Sequence, residues 1–285
     1  MYSALIITVD HRSPELTARM LASFRRTSAF NDLALLVVRN GSDSCVYNGE
    51  YSTRKTDENI WVLECALNLG YFGSAKRGLQ WYQEAQNGLP EWIIVCNNDV
   101  RVEQTDFFER LIQLNSSGVG VVAPAVISTE TGLNQNPFMV RRPGRWRIGE
   151  LRFWLRSYYL ARFHEKLSEW KKAAMVLQQK LLRSSLDTVT LKPMVIYAPH
   201  GSFLIFNKLF FERGGSLDDK AFLFHEEISL AEMCRRIGLP VVYHPELEIL
   251  HDEHSTRGRP FTRTIYQYQR QSLEYLTEDY LADLV

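Results

Sequence analysis

The sequence predicts an α/β protein with a mostly parallel, Rossmann-like central sheet flanked by helices. Three observations carry this expectation. Continuous apolar runs (residues 4–9, 33–38 and 92–95) read as strands covered on both faces. Helix-like stretches separate them, as in right-handed β-α-β crossovers. Each run also ends abruptly in polar residues, and the carboxyl ends of strands are where open α/β sheets bind ligands.

Taken in order, Ala4 to Val9 is the first predicted strand. Ser13-Pro14-Glu15 supplies an N-cap, a proline at the first helical position and an early acid, and Leu16, Met20, Leu21 and Phe24 follow at helical spacing. Leu33 to Val38 is the second strand and Trp61 to Cys65 the third. Asn68 to Ser74 reads as a loop feeding a helix that ends near Asn87-Gly88. Trp92 to Val95 is the fourth strand. Val119 to Ala123, Met194 to Tyr197 and Phe203 to Phe206 are shorter strands. Glu226 to Ile237 is a helix closed by Gly238-Leu239-Pro240. Val241 to Tyr243 and Glu248 to Leu250 are two further strands, and Thr262 to Leu284 is a helical tail.

Composition bounds the function. The 285 residues are 45% hydrophobic and 23% charged, ordinary for a globular protein, and the formal net charge of +0 gives no global field for nucleic acid. Cys45, Cys65, Cys96 and Cys234 form no C-x-x-C pair and read as reduced thiols, so a cytoplasmic setting is expected. Met1 runs straight into a strand, so no leader is expected, and no apolar stretch approaches the ~20 residues of a membrane span.

Chemistry concentrates at element ends. Asn97-Asn98-Asp99 closes the fourth strand; a carboxylate there suits a hard divalent cation, although Asn and Asp also favour a plain turn. Glu226-Glu227 opens a helix, either as simple complement to the helix dipole or as the home of a general base. His251 and His254 lie just past a strand, where an Asp–His pair suits a metal such as Mn²⁺.

The order of these pieces resembles the family-2 glycosyltransferases of the GT-A fold, especially the bacterial rhamnosyltransferase-like branch, over roughly residues 3–135 and 194–257. The family's V-x-Y-N-S-P-E-L is matched by Val9-Asp10-His11-Arg12-Ser13-Pro14-Glu15-Leu16, and its V-D-N-G-S by Val38-Arg39-Asn40-Gly41-Ser42. The signature N-x-G-[FY]-[GA] is matched by Asn68-Leu69-Gly70-Tyr71-Phe72-Gly73, continuing through Lys76 and Arg77, and the DXD-like element by Asn97-Asn98-Asp99. The acceptor-side pattern runs from Gly201-Ser202-Phe203 to Gly214-Gly215 and Phe222. F-E-D-x-D-L appears as His225-Glu226-Glu227-Ile228-Ser229-Leu230, and the closing histidine element as His251 to Thr256.

The resemblance implies an inverting, metal-dependent enzyme that moves a sugar from a nucleotide-sugar donor to a bacterial surface glycan, lipid-linked or free. It implies Asp99 and His251 as ligands of Mn²⁺ or Mg²⁺, and Glu227, with Glu226 as the alternative, as general base. It implies donor contacts from Val9, His11, Arg12, Arg39, Asn40, Asn68, Gly70, Gly73, Lys76, Asn97 and Asn98, and acceptor contacts from His200, Gly201 and Ser202. The departures are Arg39 where the family carries Asp, Arg12 where Asn is usual, Glu227 for Asp and Ser229 for another acid. They point to a different nucleotide, to extra phosphate contacts, or to a catalytically degenerate glycan- or partner-binding protein.

Residues from about 140 to 192 fall outside the resemblance and read as a helical insertion in a catalytic domain spanning 1–260, with a nucleotide-sugar half at 1–125, an acceptor half at 194–260 and a tail at 261–285. Between Arg141 and Arg183 twelve basic residues face three acidic ones. Leu160, Phe163, Leu167, Trp170, Ala174, Leu177 and Leu181 form a heptad-like stripe. Three readings stand side by side: a helix packed on its own domain, a homo-oligomer contact, or peripheral docking on the inner face of the cell membrane through aromatics interleaved with arginines.

Overall fold

The computed structural model describes residues 2–41, 51–182, 192–253 and 261–284. The apolar runs form β1 (Ala4–Asp10), β2 (Leu33–Asn40), β4 (Ile60–Cys65) and β5 (Trp92–Asn97), nearly every residue buried because helices cover both faces. Helix α1 (Pro14–Phe24) follows β1, and β3 (Tyr51–Asp57) precedes β4. Next come α2 (Gly70–Gln86), β6 (Val100–Arg101), α3 (Phe107–Gln113) and β7 (Val121–Ser128). The second half holds α4 (Arg145–Trp154), α5 (Tyr158–Leu182), β8 (Met194–Ile196), β9 (Phe203–Asn207) and α6 (Lys208–Glu212). It closes with α7 (Glu226–Arg236), β10 (Val241–His251) and α8 (Arg263–Asp279).

The sheet order is β3-β4-β2-β1-β5-β9-β7-β10-β6, with β8 on the same outer side of β10 as β6. The registers make β4, β2, β1, β5, β7 and β10 point the same way, so their carboxyl ends share one edge. Strand β9 runs against β5 and β7, which brings Gly201 and Ser202, the residues just before it, to that same edge. One core layer packs Phe72, Ala75, Leu79 and Tyr82 of α2 on the sheet. The other packs Met20, Phe24, Phe107, Phe108 and Leu111 of α1 and α3 on the opposite face.

The structure corrects the expected elements in several places. Trp92 begins the fifth strand, because β3 intervenes; β3 is exposed along almost its whole length and carries no apolar signature. The two strands expected at 241–243 and 248–250 are one, β10, with a register shift between His244 and Glu248 that brackets Pro245, which has no N–H for the ladder. Helix α2 starts at Gly70, so all of the expected loop after Leu69 is helical.

The insertion also departs from its heptad reading. Ile148 packs with Ile228, Leu276 and Tyr280, while Leu155 and Ala161 pack with Leu273. The stripe itself is not core: Phe163 and Trp170 are exposed and Leu160 and Leu167 half-buried, because α8 meets only the start of α5. The side chains of Leu177 and Leu181 lie outside the described residues. Nor are all the basic residues free surface charges. Arg142 grips buried Glu232 (Nε to Oε1, 2.7 Å) and Asp283 (Nη2 to Oδ1, 2.8 Å), and Glu232 also accepts from the Tyr197 hydroxyl (2.7 Å) and Arg235 (2.6 Å).

That network ties the start of the insertion and the C-terminal turn to α7. Breaking a buried, fully hydrogen-bonded ion pair from one side strands its partner. Glu232→Ala is therefore expected to destabilise the fold by about 3 kcal/mol, read from urea denaturation, with Glu232→Gln milder because it keeps an acceptor for Tyr197.

Candidate functional site

The candidate site occupies the carboxyl edge of the sheet. Its firmest part joins β6 to the end of β10. Val100 pairs with His251, Asp252 N–H donates to Asp99 O (2.8 Å), and Arg101 holds the Asp252 carboxylate through Nε (2.8 Å) and Nη2 (3.1 Å). This clamp brings His251 Nε2 to 3.4 Å from Asp99 Oδ1, with both residues buried.

Gln135 orients the imidazole. Its amide Nε2 donates to Glu253 Oε1, so its Oε1 faces His251 Nδ1 at 2.8 Å. Nδ1 then donates to that oxygen, and in the neutral ring the Nε2 lone pair is directed at Asp99. An imidazole lone pair and a carboxylate facing each other across 3.4 Å, with the far imidazole nitrogen held by an amide oxygen, form a donor set that fits a divalent cation. Among the described residues no group of three or more His, Cys, Asp and Glu assembles, so further coordination would fall to ligand and water oxygens. His254 lies outside the described residues.

The residues expected to touch a donor divide into two sets. Val9, His11, Arg12 and Asn97 lie at the ends of β1 and β5 with exposed or half-buried side chains, and Arg12 takes a left-handed backbone (φ 58°). Others are turned inward. The Asn98 amide donates to Ser13 Oγ (2.9 Å), Ser13 O (3.2 Å) and Thr17 Oγ1 (3.0 Å). The Asp10 carboxylate accepts from Ser13 N–H and the Thr17 hydroxyl, both at 2.9 Å. These two residues, and not the Ser13 hydroxyl, fasten the start of α1. Asn40 donates to Asn68 Oδ1 (2.7 Å) and accepts from Leu69 N–H (2.7 Å), and its carbonyl meets His11 Nδ1 at 2.9 Å. Asn40 and Asn68 thus lock the turn into α2. Arg39 pairs with Glu64 (3.1 Å) and Lys76 with Asp219 (2.7 Å).

The glycines serve the protein's own packing. Gly70 has φ +75°, and a Cβ there would sit 2.1 Å from Phe222 O; a Cβ on Gly73 would sit 3.2 Å from Leu69 Cβ. The close backbone approach that only glycine allows is made to the 216–222 loop.

On the acceptor side, Phe224 and His225 precede α7 with left-handed backbones (φ 74° and 65°), a strained approach that the rest of the fold must hold in place. Ser272 of α8 donates to Phe224 O (2.6 Å) and does part of this holding. The turn delivers Glu226 and Glu227 to the cleft. Burial, with Glu227 close by, pushes the Glu226 carboxyl up to about 8, and burial raises Glu227 as well, opposed by backbone N–H groups including that of Gly201. A Cβ on Gly201 would stand 2.7 Å from Glu227 Oε1, so a larger residue here would push the carboxylate from its present place. The Tyr71 hydroxyl donates to Gly201 O (3.0 Å); burial raises its pKa, and nearby acids including Glu226, Glu227 and Asp99 add to the shift. His200 packs its ring 5.5 Å from that of His251, and its Nδ1 meets Ser202 Oγ at 2.9 Å.

Sequence reading missed three members of this site. Tyr71 sits at the aromatic position of a quoted motif and could have been found there. Asp10 sits at a strand end, a weaker signal. Gln135 lies in a loop 116 residues from its partner, and no local pattern marks it.

No protein-family model matches the chain, and no curated protein is significantly similar to it in sequence. Solved structures do match. A mannosyltransferase from Pyrobaculum calidifontis, determined with GDP-Man and Mn²⁺, aligns over 99% of this chain and 72% of its own, at 12% identity and a TM-score of 0.49. GalNAc-T7, determined with UDP, GalNAc and Mn²⁺, aligns over 100% of this chain and 57% of its own, at 11% identity and a TM-score of 0.53. The chain thus spans little more than half of GalNAc-T7. At such identity the likeness is one of fold, and the chain has the GT-A fold, a mixed α/β sheet flanked by helices.

Proposed function

We propose that this protein is a metal-dependent, inverting glycosyltransferase that takes a nucleotide-sugar donor and a glycan acceptor, in the manner of the bacterial rhamnosyltransferase-like branch. The observation that carries the reading is the buried Asp99–His251 pair, 3.4 Å apart, with the imidazole lone pair oriented by Gln135. The likeness in fold to GalNAc-T7, determined with UDP, GalNAc and Mn²⁺, supports it.

Asp99 and His251 would hold the Mn²⁺ or Mg²⁺, which when bound supplies positive charge against a leaving diphosphate. Glu227 is the general base. Its raised proton affinity brings a carboxylate closer to neutral pH, where a base works best. It takes the proton from an acceptor hydroxyl as the oxygen bonds to the anomeric carbon, the bond from that carbon to the phosphate oxygen breaks, and a nucleoside diphosphate leaves. Gly201 N–H and Tyr71, through Gly201 O, hold the base and the acceptor loop in register. The acceptor in this reading is a bacterial surface glycan, and a lipid-linked form would place the enzyme on the inner face of the cell membrane. Among the described residues no helix is long and apolar enough to cross a membrane.

Three outcomes are expected. Asp99→Asn and His251→Ala each remove the Mn²⁺-dependent thermal shift produced by a nucleotide-sugar panel, and wild-type protein with no such shift would refute the donor site. Glu227→Gln lowers turnover by about 10²- to 10⁴-fold while keeping that shift, which separates an enzyme from a degenerate binding protein. The third outcome concerns pH. The folded protein holds the Glu226 proton more tightly than the unfolded chain does, so the stability it contributes is full below its ordinary value of 4.5 and is lost as pH rises through about 8. The Tm of the metal-free protein should fall across that window, and Glu226→Gln should flatten the slope.

A further inference from the structure

We propose that the α4–α5 insertion is a docking face for an anionic lipid bilayer, a proposal that gives the acceptor side of the reading above a location. On α5, Tyr159, Phe163, Lys166 and Trp170 recur at spacings of 4, 3 and 4, so they stand on one side of the helix. The three aromatics are 72%, 59% and 79% exposed, and on α4 Trp146 is 95% and Phe153 53% exposed. Five of the nine exposed large apolar side chains among the described residues therefore fall within this one segment. Half-buried Trp154 links the two helices within this set, meeting Phe153 at 5.3 Å and Phe163 at 6.3 Å. Patches of this kind mark interaction sites.

Charge identifies the occupant. Arg145, Arg152, Arg156, Arg162, Lys166 and Lys171 are exposed and have no ion-pair partner within 4 Å among the described residues, while Arg147 is neutralised by Glu150 (2.6 Å). A groove of about 690 Å³ opens between α4 and α8 beside Phe153; Arg152 and Arg156 line its α4 side, while on α8 Arg270 is already paired with Glu274 (2.8 Å) and Glu278 is the second acid, so the cations open to a phosphate headgroup are those of α4. Two copies meeting face to face through this surface would oppose their cations, because a two-fold contact is made of the same patch twice. An anionic leaflet neutralises them, and Trp and Tyr favour its interface. The platform is braced to the chemistry, since Ile148 of α4 packs on Ile228, the residue after Glu227.

The test is co-sedimentation of the full chain with phosphatidylcholine vesicles and with vesicles carrying about 30% phosphatidylglycerol, a composition that supplies a negative surface potential. Binding is expected only to the anionic vesicles and should weaken with salt. Arg152→Gln and Arg156→Gln should each lower partitioning about fivefold, and Phe163→Ser with Trp170→Ser about tenfold, with unchanged circular dichroism. Absence of binding to anionic vesicles, binding indifferent to these variants, or a lipid-free dimer that the serine variants dissolve would each overturn the proposal. No donor or acceptor enters the assay, and turnover of a water-soluble acceptor by the same variants stays at the wild-type level, so a failure here is distinct from failure of the glycosyltransferase reading.

Discussion

The arrangement depends most on the clamp between β6 and the end of β10. Two strand residues at β6 would carry little cohesion alone. Their pairing with Leu250 and His251, the Asp252 to Asp99 backbone bond and the Arg101–Asp252 ion pair together fix two segments 152 residues apart in the chain. Only with that register does an imidazole face a carboxylate. A slip of one residue would turn His251 to the other side of the sheet. The β-bulge at His244–Glu248 belongs to the same constraint, because it resets the phase of β10 between its pairing with β8 and its pairing with β6.

A second constraint is the cost of holding two adjacent carboxylates out of water at the mouth of α7. The left-handed Phe224 and His225, the Ser272 bond to Phe224 O and the Gly201 N–H all contribute to a geometry the local sequence would not choose. Burial lifts the proton affinity of both acids, and such perturbed groups gathered in a cleft are what acid–base chemistry needs. His225 shows the same effect in the opposite sense, its pKa pressed down to about 4 by burial, so it stays neutral beside them.

The insertion connects to this site through packing. Arg142 and Ile148 anchor its start to α7, Asp283 pairs with Arg142 and Leu276 of α8 packs with Ile148, so the segment outside the family resemblance and the carboxylate turn form one supported unit. The aromatic side of α5 takes no part in that support, which is why its exposure asks for an external partner.

The sequence by itself determined what depends on neighbours along the chain. Apolar runs longer than alternation allows implied a sheet buried on both faces, and polar element ends singled out Asn97-Asn98-Asp99, Glu226-Glu227 and His251. The tertiary structure decided what depends on distant partners. It turned Asn98, Asn40 and Asn68 into struts, used Gly70 to admit Phe222 O, paired the polar, exposed strand β3 onto the sheet's edge and left Phe163 and Trp170 of the heptad-like stripe exposed. It also supplied Gln135, whose role exists only because a loop folds back over β10. Periodicity reports which residues avoid water, but the direction of a side chain and the identity of its hydrogen-bond partner are set by segments far away in the sequence.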